Sequence, residues 1–207
     1  MNPTNDTYKT LNLAYEFFNK ELFDGKLPGC LITMQRKGKA LGYFCAEQFE
    51  TRKEEKFSVH EISLNPSHFK DRTDEQIIST LVHEMAHLWQ QEFGNPPRRG
   101  YHDKEWGEKM RDIGLIPSNT GAEGGKPVGQ SMSHYIEEGG RYERLISVFL
   151  ASHQLEYQDR PAADALKAKK KNKVKYVCPE CEMKAWGKPG ISLICGDCEV
   201  KLEEQGT

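Results

Sequence analysis

The chain has 207 residues, 37% hydrophobic, 10% aromatic and 29% charged, with a formal net charge of −2. That composition excludes a disordered chain, and its length predicts one medium domain with a remainder or two small ones. No apolar run approaches the roughly 18 residues of a membrane span, so a membrane protein is excluded, and the near-neutral charge, taken as an average, argues against a nucleic-acid binder.

In chain order, Leu11, Tyr15, Phe18 and Leu22 recur at three- and four-residue spacing from Tyr8 onward, predicting an amphipathic helix that ends at Asp24-Gly25 and Pro28. Leu31 to Gln35 and Leu41 to Cys45, separated by Lys37-Gly38-Lys39, read as the two strands of a hairpin, and Phe57 to Leu64 as a third strand. In the third strand the alternation slips between Val59 and Ile62, which predicts a bulge near His60 and Glu61. A long helix follows from Asp74 to Phe93, opened by the Thr73-x-x-Gln76 capping-box pattern and closed by Gly94-Asn95-Pro96-Pro97.

A shorter helix is expected from Asp103 to Ile113, then a Gly-rich surface loop from Gly114 to Gly129, then a last helical stripe through Tyr142, Leu145, Ile146, Phe149 and Leu150. After Tyr157 the composition turns to Pro, Ala and Lys, which marks a linker. The segment from Val174 is short, cysteine-rich and poor in large aliphatics, so it needs a metal or another staple to fold.

The long helix carries His83-Glu84-Met85-Ala86-His87. Four residues of α-helix turn the chain through about 400°, so the two imidazoles stand about 40° apart and can reach one ion. With Ile77 as origin, the apolar residues from Ile77 to Trp89 fill an arc of about 140°, whereas His83 and His87 fall at about 240° and 280°, away from the core face. Glu84 lies beside the pair, where a base acting on a metal-activated water belongs. The plainer alternative is a solvated helix face that happens to carry two histidines.

A third ligand is sought just past the Pro-containing turn. His102 is preferred there, and Asp103 or Glu105 could instead supply an oxygen ligand or a supporting hydrogen bond. The compact HExxHxxGxxH arrangement is excluded, because Gln90 and Phe93 stand where its glycine and third histidine would be. Tyr101, His134 and Tyr135 are available as donors to an oxyanion, and none is assigned.

Residues 8 to about 150 resemble the SprT-like family of zinc metalloproteases. The resemblance is carried by Leu22-Phe23-Asp24-Gly25-Lys26-Leu27-Pro28, by His60-Glu61-Ile62-Ser63-Leu64-Asn65, by Leu81 to His87 and by the later His102. That family includes Spartan-type proteases, which degrade proteins crosslinked to DNA. The resemblance implies a zincin-like fold, a catalytic zinc on His83, His87 and His102, and Glu84 as catalytic base.

Near the C-terminus, Cys178-Pro179-Glu180-Cys181 and Cys195-Gly196-Asp197-Cys198 form a C-x2-C-x13-C-x2-C pattern around a stretch suited to a small hairpin at Lys188-Pro189-Gly190. Four thiolates make a closed tetrahedral site, so this zinc is expected to be structural, in a zinc ribbon. The competing readings are two disulfides or a redox pair. Cys30 and Cys45 lie outside the pattern and read as inert buried thiols. SprT-like proteins often carry such a ribbon.

Lys184, Trp186 and Lys188 in the ribbon, preceded by a lysine run that includes Lys169, Lys170 and Lys171, place an aromatic among bases. Such a set could stack a nucleobase and neutralise phosphates. The alternatives are a solvated linker and a tryptophan that serves as the ribbon's core. Residues 160 to 188 balance to +6, leaving −8 on the remainder, so the net charge averages a basic arm and an acidic body.

The resulting expectation is an α+β protein with a zincin-like metalloprotease domain over 1–157, a basic linker over 158–173 and a zinc ribbon over 174–207. It would be a cytoplasmic monomer, nucleoid-associated in a bacterium or nuclear in a eukaryote, because the polar N-terminus carries no secretory or transit signal. Its partners would be a protein substrate and, through the C-terminal arm, DNA. The alternatives are a non-proteolytic zinc adaptor contacting DNA or the transcription machinery, and a peptidase with an unrelated soluble substrate.

Overall fold

The computed structural model describes residues 2–159 and 173–205. Lys169, Lys170, Lys171 and nearly all of the expected linker lie outside the described residues. The chain divides into two compact units, Met1–Arg160 and Pro161–Thr207. The protein is a mixed α+β structure with small sheets, and no helix among the described residues is long and apolar enough to cross a membrane.

In the first unit, helix α1 spans Pro3–Leu22 and starts earlier than its apolar stripe, because Asn2 caps it by accepting from the Asn5 amide and Pro3 occupies the first turn. Strands β1 (Leu31–Met34), β2 (Gly42–Glu50) and β3 (Ser58–Leu64) form one sheet in the order β1-β3-β2. β1 and β2 are therefore not a hairpin. The end of β3 inserts between them, with the Gln35 amide donating to the Leu64 carbonyl at 2.9 Å and the Asn65 amide donating to the Leu41 carbonyl at 2.8 Å. β1 runs parallel to β3, and the true hairpin is β2–β3.

The expected bulge exists, but the extra residues are on the other strand: the register shifts between Cys45 and Phe49, opposite His60. The Glu47 amide donates to His60 Nδ1 at 3.0 Å, which anchors the bulge. Glu61 is buried on β3 and accepts from Thr33 at 2.6 Å and Gln35 at 2.8 Å, tying the β1 edge to the centre. Cys30 and Cys45, expected to be buried, are only half-buried.

Helix α2 (Asp74–Phe93) has both bonds of the capping box, with Thr73 and Gln76 exchanging side chain-to-backbone contacts. It packs against β2, β3, α1, α3 (Lys104–Asp112) and α4 (Arg141–Leu150). Leu11, Phe18, Ile78, Leu81, Met85 and Tyr142 are among the side chains fully enclosed between these elements. The stretch expected to be a loop carries β4 (Leu115–Ser118), which pairs antiparallel with β5 (Ser133–Ile136). Two four-residue strands joined by a Gly-rich excursion offer too little alternation to be read locally.

The second unit is a three-stranded sheet of β6 (Val174–Val177), β7 (Lys184–Gly187) and β8 (Glu203–Gln205), in the order β7-β6-β8. Its hairpin turns at the first cysteine pair, between β6 and β7, and not at Lys188-Pro189-Gly190. Among the described residues, its buried core is Tyr176, Cys178, Cys195 and Leu202.

Candidate functional site

Helical spacing on α2 brings His83 and His87 together with Glu84 between them, and these side chains are not on a solvated face. His83 is 7% exposed and Glu84 5%. β2 lies against Thr80 and Glu84, while Trp106, His102 and His134 pack on His83, so a face that the wheel assigns to solvent is enclosed. His102 arrives from the segment before α3 and is 8% exposed. It forms a β-bridge with Gly129, its amide donating at 2.8 Å and its carbonyl accepting at 3.0 Å. Gly129 has φ +153°, a conformation open to glycine and rare for residues with side chains.

The ligand atoms of His83, His87 and His102 all lie within 4.8 Å of one another. Asp103 and Glu105 are engaged elsewhere. Asp103 caps α3 through the Trp106 amide at 3.0 Å and accepts from Gln90 at 2.9 Å, while Glu105 accepts from Gln90 and from the Asn95 amide, each at 2.8 Å. These bonds fasten the start of α3 to the end of α2 and thereby place His102.

Trp106 is the floor of the site. Fully buried, its ring centroid lies 4.9 Å from that of His83, 5.1 Å from His87 and 4.5 Å from His102. The i, i+4 pair Trp106 and Met110 on a short polar helix is the sequence signal that could have marked it as inward-facing. Behind His83 stands His134 from β5, with the two Nδ1 atoms 3.0 Å apart and His134 Nε2 at 2.8 Å from Ser79 Oγ. Both ring nitrogens of His134 are thus occupied and neither is free for an oxyanion. Tyr101 lines the cleft; Tyr135 is not among its lining residues and pairs with Ile116 on β4.

Burial sets the charge state of the site. It lowers the His83 pKa well below the ordinary imidazole range, with neighbouring His134, His87 and His102 adding to the effect, and it brings His87 and His134 down to about 3. His102 is also lowered by burial, against the pull of the Gly129 carbonyl. The imidazoles are therefore neutral, the form that donates a lone pair to a metal. Burial pushes the Glu84 carboxyl up to about 8, opposed by the Phe44 backbone amide.

The donor set fits zinc: three neutral imidazoles converge without a carboxylate among them, the nitrogen-rich composition of a site that keeps a position open. The group opens into a cleft of about 1010 Å³ whose wall includes Gly42, Phe44 and Tyr101. β2 is an edge strand, and its first half lines that wall.

In the second unit, the sulfurs of Cys178, Cys181, Cys195 and Cys198 also lie within 4.8 Å of one another. Cys181 Sγ and Cys195 Sγ are 3.7 Å apart, close to the ~3.8 Å edge of a tetrahedron with metal–sulfur bonds of ~2.3 Å and far from the ~2.05 Å of a disulfide. Backbone amides of Cys181 and Glu180 lower Cys178 to about 7, favouring its thiolate. The set is compatible with a zinc ribbon. Trp186 is not the core of this unit: it is 63% exposed on β7, directly opposite Lys175 of β6, with Lys184 two residues away.

The SprT-like family matches residues 11–123 of the chain, a span that contains His83, Glu84, His87 and His102. A protein of Salmonella typhimurium, described as an uncharacterized protein in the mucB 3' region, is 47% identical over 60 residues, which are 29% of this chain and 80% of that protein.

Proposed function

Because the chain belongs to the SprT-like family, we propose that it is a zinc-dependent metalloprotease of zincin-like fold that hydrolyses peptide bonds of proteins bound or crosslinked to DNA. The observation that carries the catalytic part is Glu84, a buried carboxyl beside three converging neutral imidazoles at the base of a cleft.

His83, His87 and His102 would hold the metal. Zinc, when bound there, supplies Lewis acidity that activates water and polarises a carbonyl. Glu84, as the carboxylate that a neighbouring cation would favour, takes a proton from water in the cleft and passes it to the leaving amine nitrogen. The edge of β2 offers unpaired backbone groups to an extended peptide, which positions a scissile bond over the site by strand addition. Trp106 closes the floor and excludes water from behind the ligands.

A non-proteolytic zinc adaptor has no use for Glu84. Burying a carboxyl among imidazoles costs stability, and a purely structural site would omit it. The DNA part of the reading is supported by Trp186, exposed beside Lys175, Lys184 and Lys188, a pattern suited to base stacking and phosphate neutralisation. Tethering through such a ribbon makes a permissive active site selective by raising local concentration.

The test is cleavage of a DNA-crosslinked protein, with and without DNA, by the wild type, Glu84→Gln and Trp186→Ala. Glu84→Gln is expected to retain zinc and lose cleavage, and Trp186→Ala to lose the DNA-dependent part only. Unchanged cleavage by Glu84→Gln removes the mechanism; DNA-independent cleavage by the wild type removes the tethering.

A further inference from the structure

His83 can serve a metal through Nε2 only if its proton sits on Nδ1, and an isolated imidazole has no reason to keep it there. Three residues of this chain dictate the choice. Ser79, one turn before His83 on α2, has its hydroxyl oxygen 2.9 Å from the Gln76 carbonyl, a group that can only accept, and we assign its one proton to that bond. Its oxygen can then only accept from His134 Nε2, which lies 2.8 Å away, so the proton of His134 is on Nε2. His134 Nδ1 is left as a bare acceptor 3.0 Å from His83 Nδ1, and a contact that short between two ring nitrogens requires one proton between them. That proton belongs to His83. Reversing the Ser79 hydroxyl would reverse every bond in the chain and put the His83 proton on Nε2, where it blocks coordination.

We infer that Ser79 and His134 are positioning residues that fix the tautomer of His83 and so preorganise it as a ligand. The inference rests on reading the three histidines as a metal centre, and it extends to groups outside the ligand set. His102 is held on the same principle by different means, its Nδ1 lying 3.3 Å from the Gly129 carbonyl.

Two measurements on the full-length protein test this. Long-range proton–nitrogen NMR of the protein stripped of histidine-bound metal should show Nδ1–H on His83 and Nε2–H on His134; the reverse pattern overturns the inference. Competition with a chromophoric chelator should show that His134→Leu weakens zinc binding at the histidine site by about 10- to 100-fold. Ser79→Ala should weaken it less, and His134→Gln, which keeps an acceptor oxygen, should recover much of the loss. Equal zinc affinity in the wild type and His134→Leu overturns the inference alone and leaves the metal centre standing. No zinc binding in the wild type overturns the metal centre and the inference with it. If His134→Leu does not fold, the wild-type NMR pattern and the His134→Gln affinity decide.

Discussion

Gly42 of β2 and Glu84 of α2 are in close approach: a β-carbon on Gly42 would lie 3.2 Å from Glu84 Oε1, 2.8 Å from Thr80 Cγ2 and 2.9 Å from the Ser63 carbonyl oxygen. The glycine is there for space, since its φ is not positive. Gly42→Ala must push β2 off α2, at a cost of about 1–3 kcal/mol, and move the cleft wall away from the base. Proteolysis should fall at least about 10-fold, the scale expected when a reacting group is misplaced, while zinc affinity holds because no histidine is touched. Kinetics and zinc titration on the purified variant check both halves.

The metal-free protein should be most stable near pH 7, where proton uptake by the unfolded histidines balances the proton the fold keeps on Glu84. Below that, an unfolded chain takes up protons on histidines whose pKa values the fold depresses, His87 and His134 to about 3 and His83 and His102 in the same direction, so stability is lost as pH falls. Above it, Glu84 acts with the opposite sign. Its folded pKa of about 8 exceeds the ordinary 4.5, so the fold keeps a proton that the unfolded chain has released, and stability declines up to about pH 8. Urea unfolding followed by helical circular dichroism in chelator, from pH 5 to 9, should show the decline above about pH 7 in the wild type and not in Glu84→Gln.

Cys195→Ser should unfold the second unit and leave the first intact. With Tyr176 and Leu202 as the large side chains of its buried core, the ribbon has little besides a metal to hold it. Zinc content should fall from two ions per chain to one, and the amide dispersion of β6, β7 and β8 should collapse. Cleavage of a DNA-free peptide should persist, because the first unit has its own core.

Thr73→Ala should remove the capping box of α2, in which Thr73 Oγ1 accepts from the Gln76 amide and Gln76 Oε1 accepts from the Thr73 amide. The expected cost is about 1 kcal/mol, or roughly 2–4 °C in Tm for a unit of this size. Scanning calorimetry of the zinc-loaded protein measures it.

Helix α2 is legible because its signals agree: a capping box, an apolar stripe, a Gly-Pro stop and two histidines whose spacing alone forces them together. His102 is legible for a local reason too, since Asp103 caps the helix that begins beside it. What periodicity cannot supply is pairing. Nothing within Leu31–Cys45 reveals that β3 comes between β1 and β2, because strand order is decided by residues some 20 positions further on. The same limit hides Gly129 and His134, which meet their partners across 27 and 51 residues from four-residue strands and a glycine-rich excursion. Trp186 is ambiguous by sequence alone, and the pairing of β6 with β7 decides that it faces out.

The bridge between His102 and Gly129 has a temporal consequence. A chain synthesised only as far as residue 123, the end of the family match, already has all three histidines and Glu84, yet neither of the groups that hold His102 and His83 in place. The HExxH helix carries its own capping signals, whereas His83 and His102 gain their hydrogen-bond partners only with the segment from Gly129 to His134. If the proposed peptidase activity depends on that segment, it would arise only after most of the first unit had been synthesised.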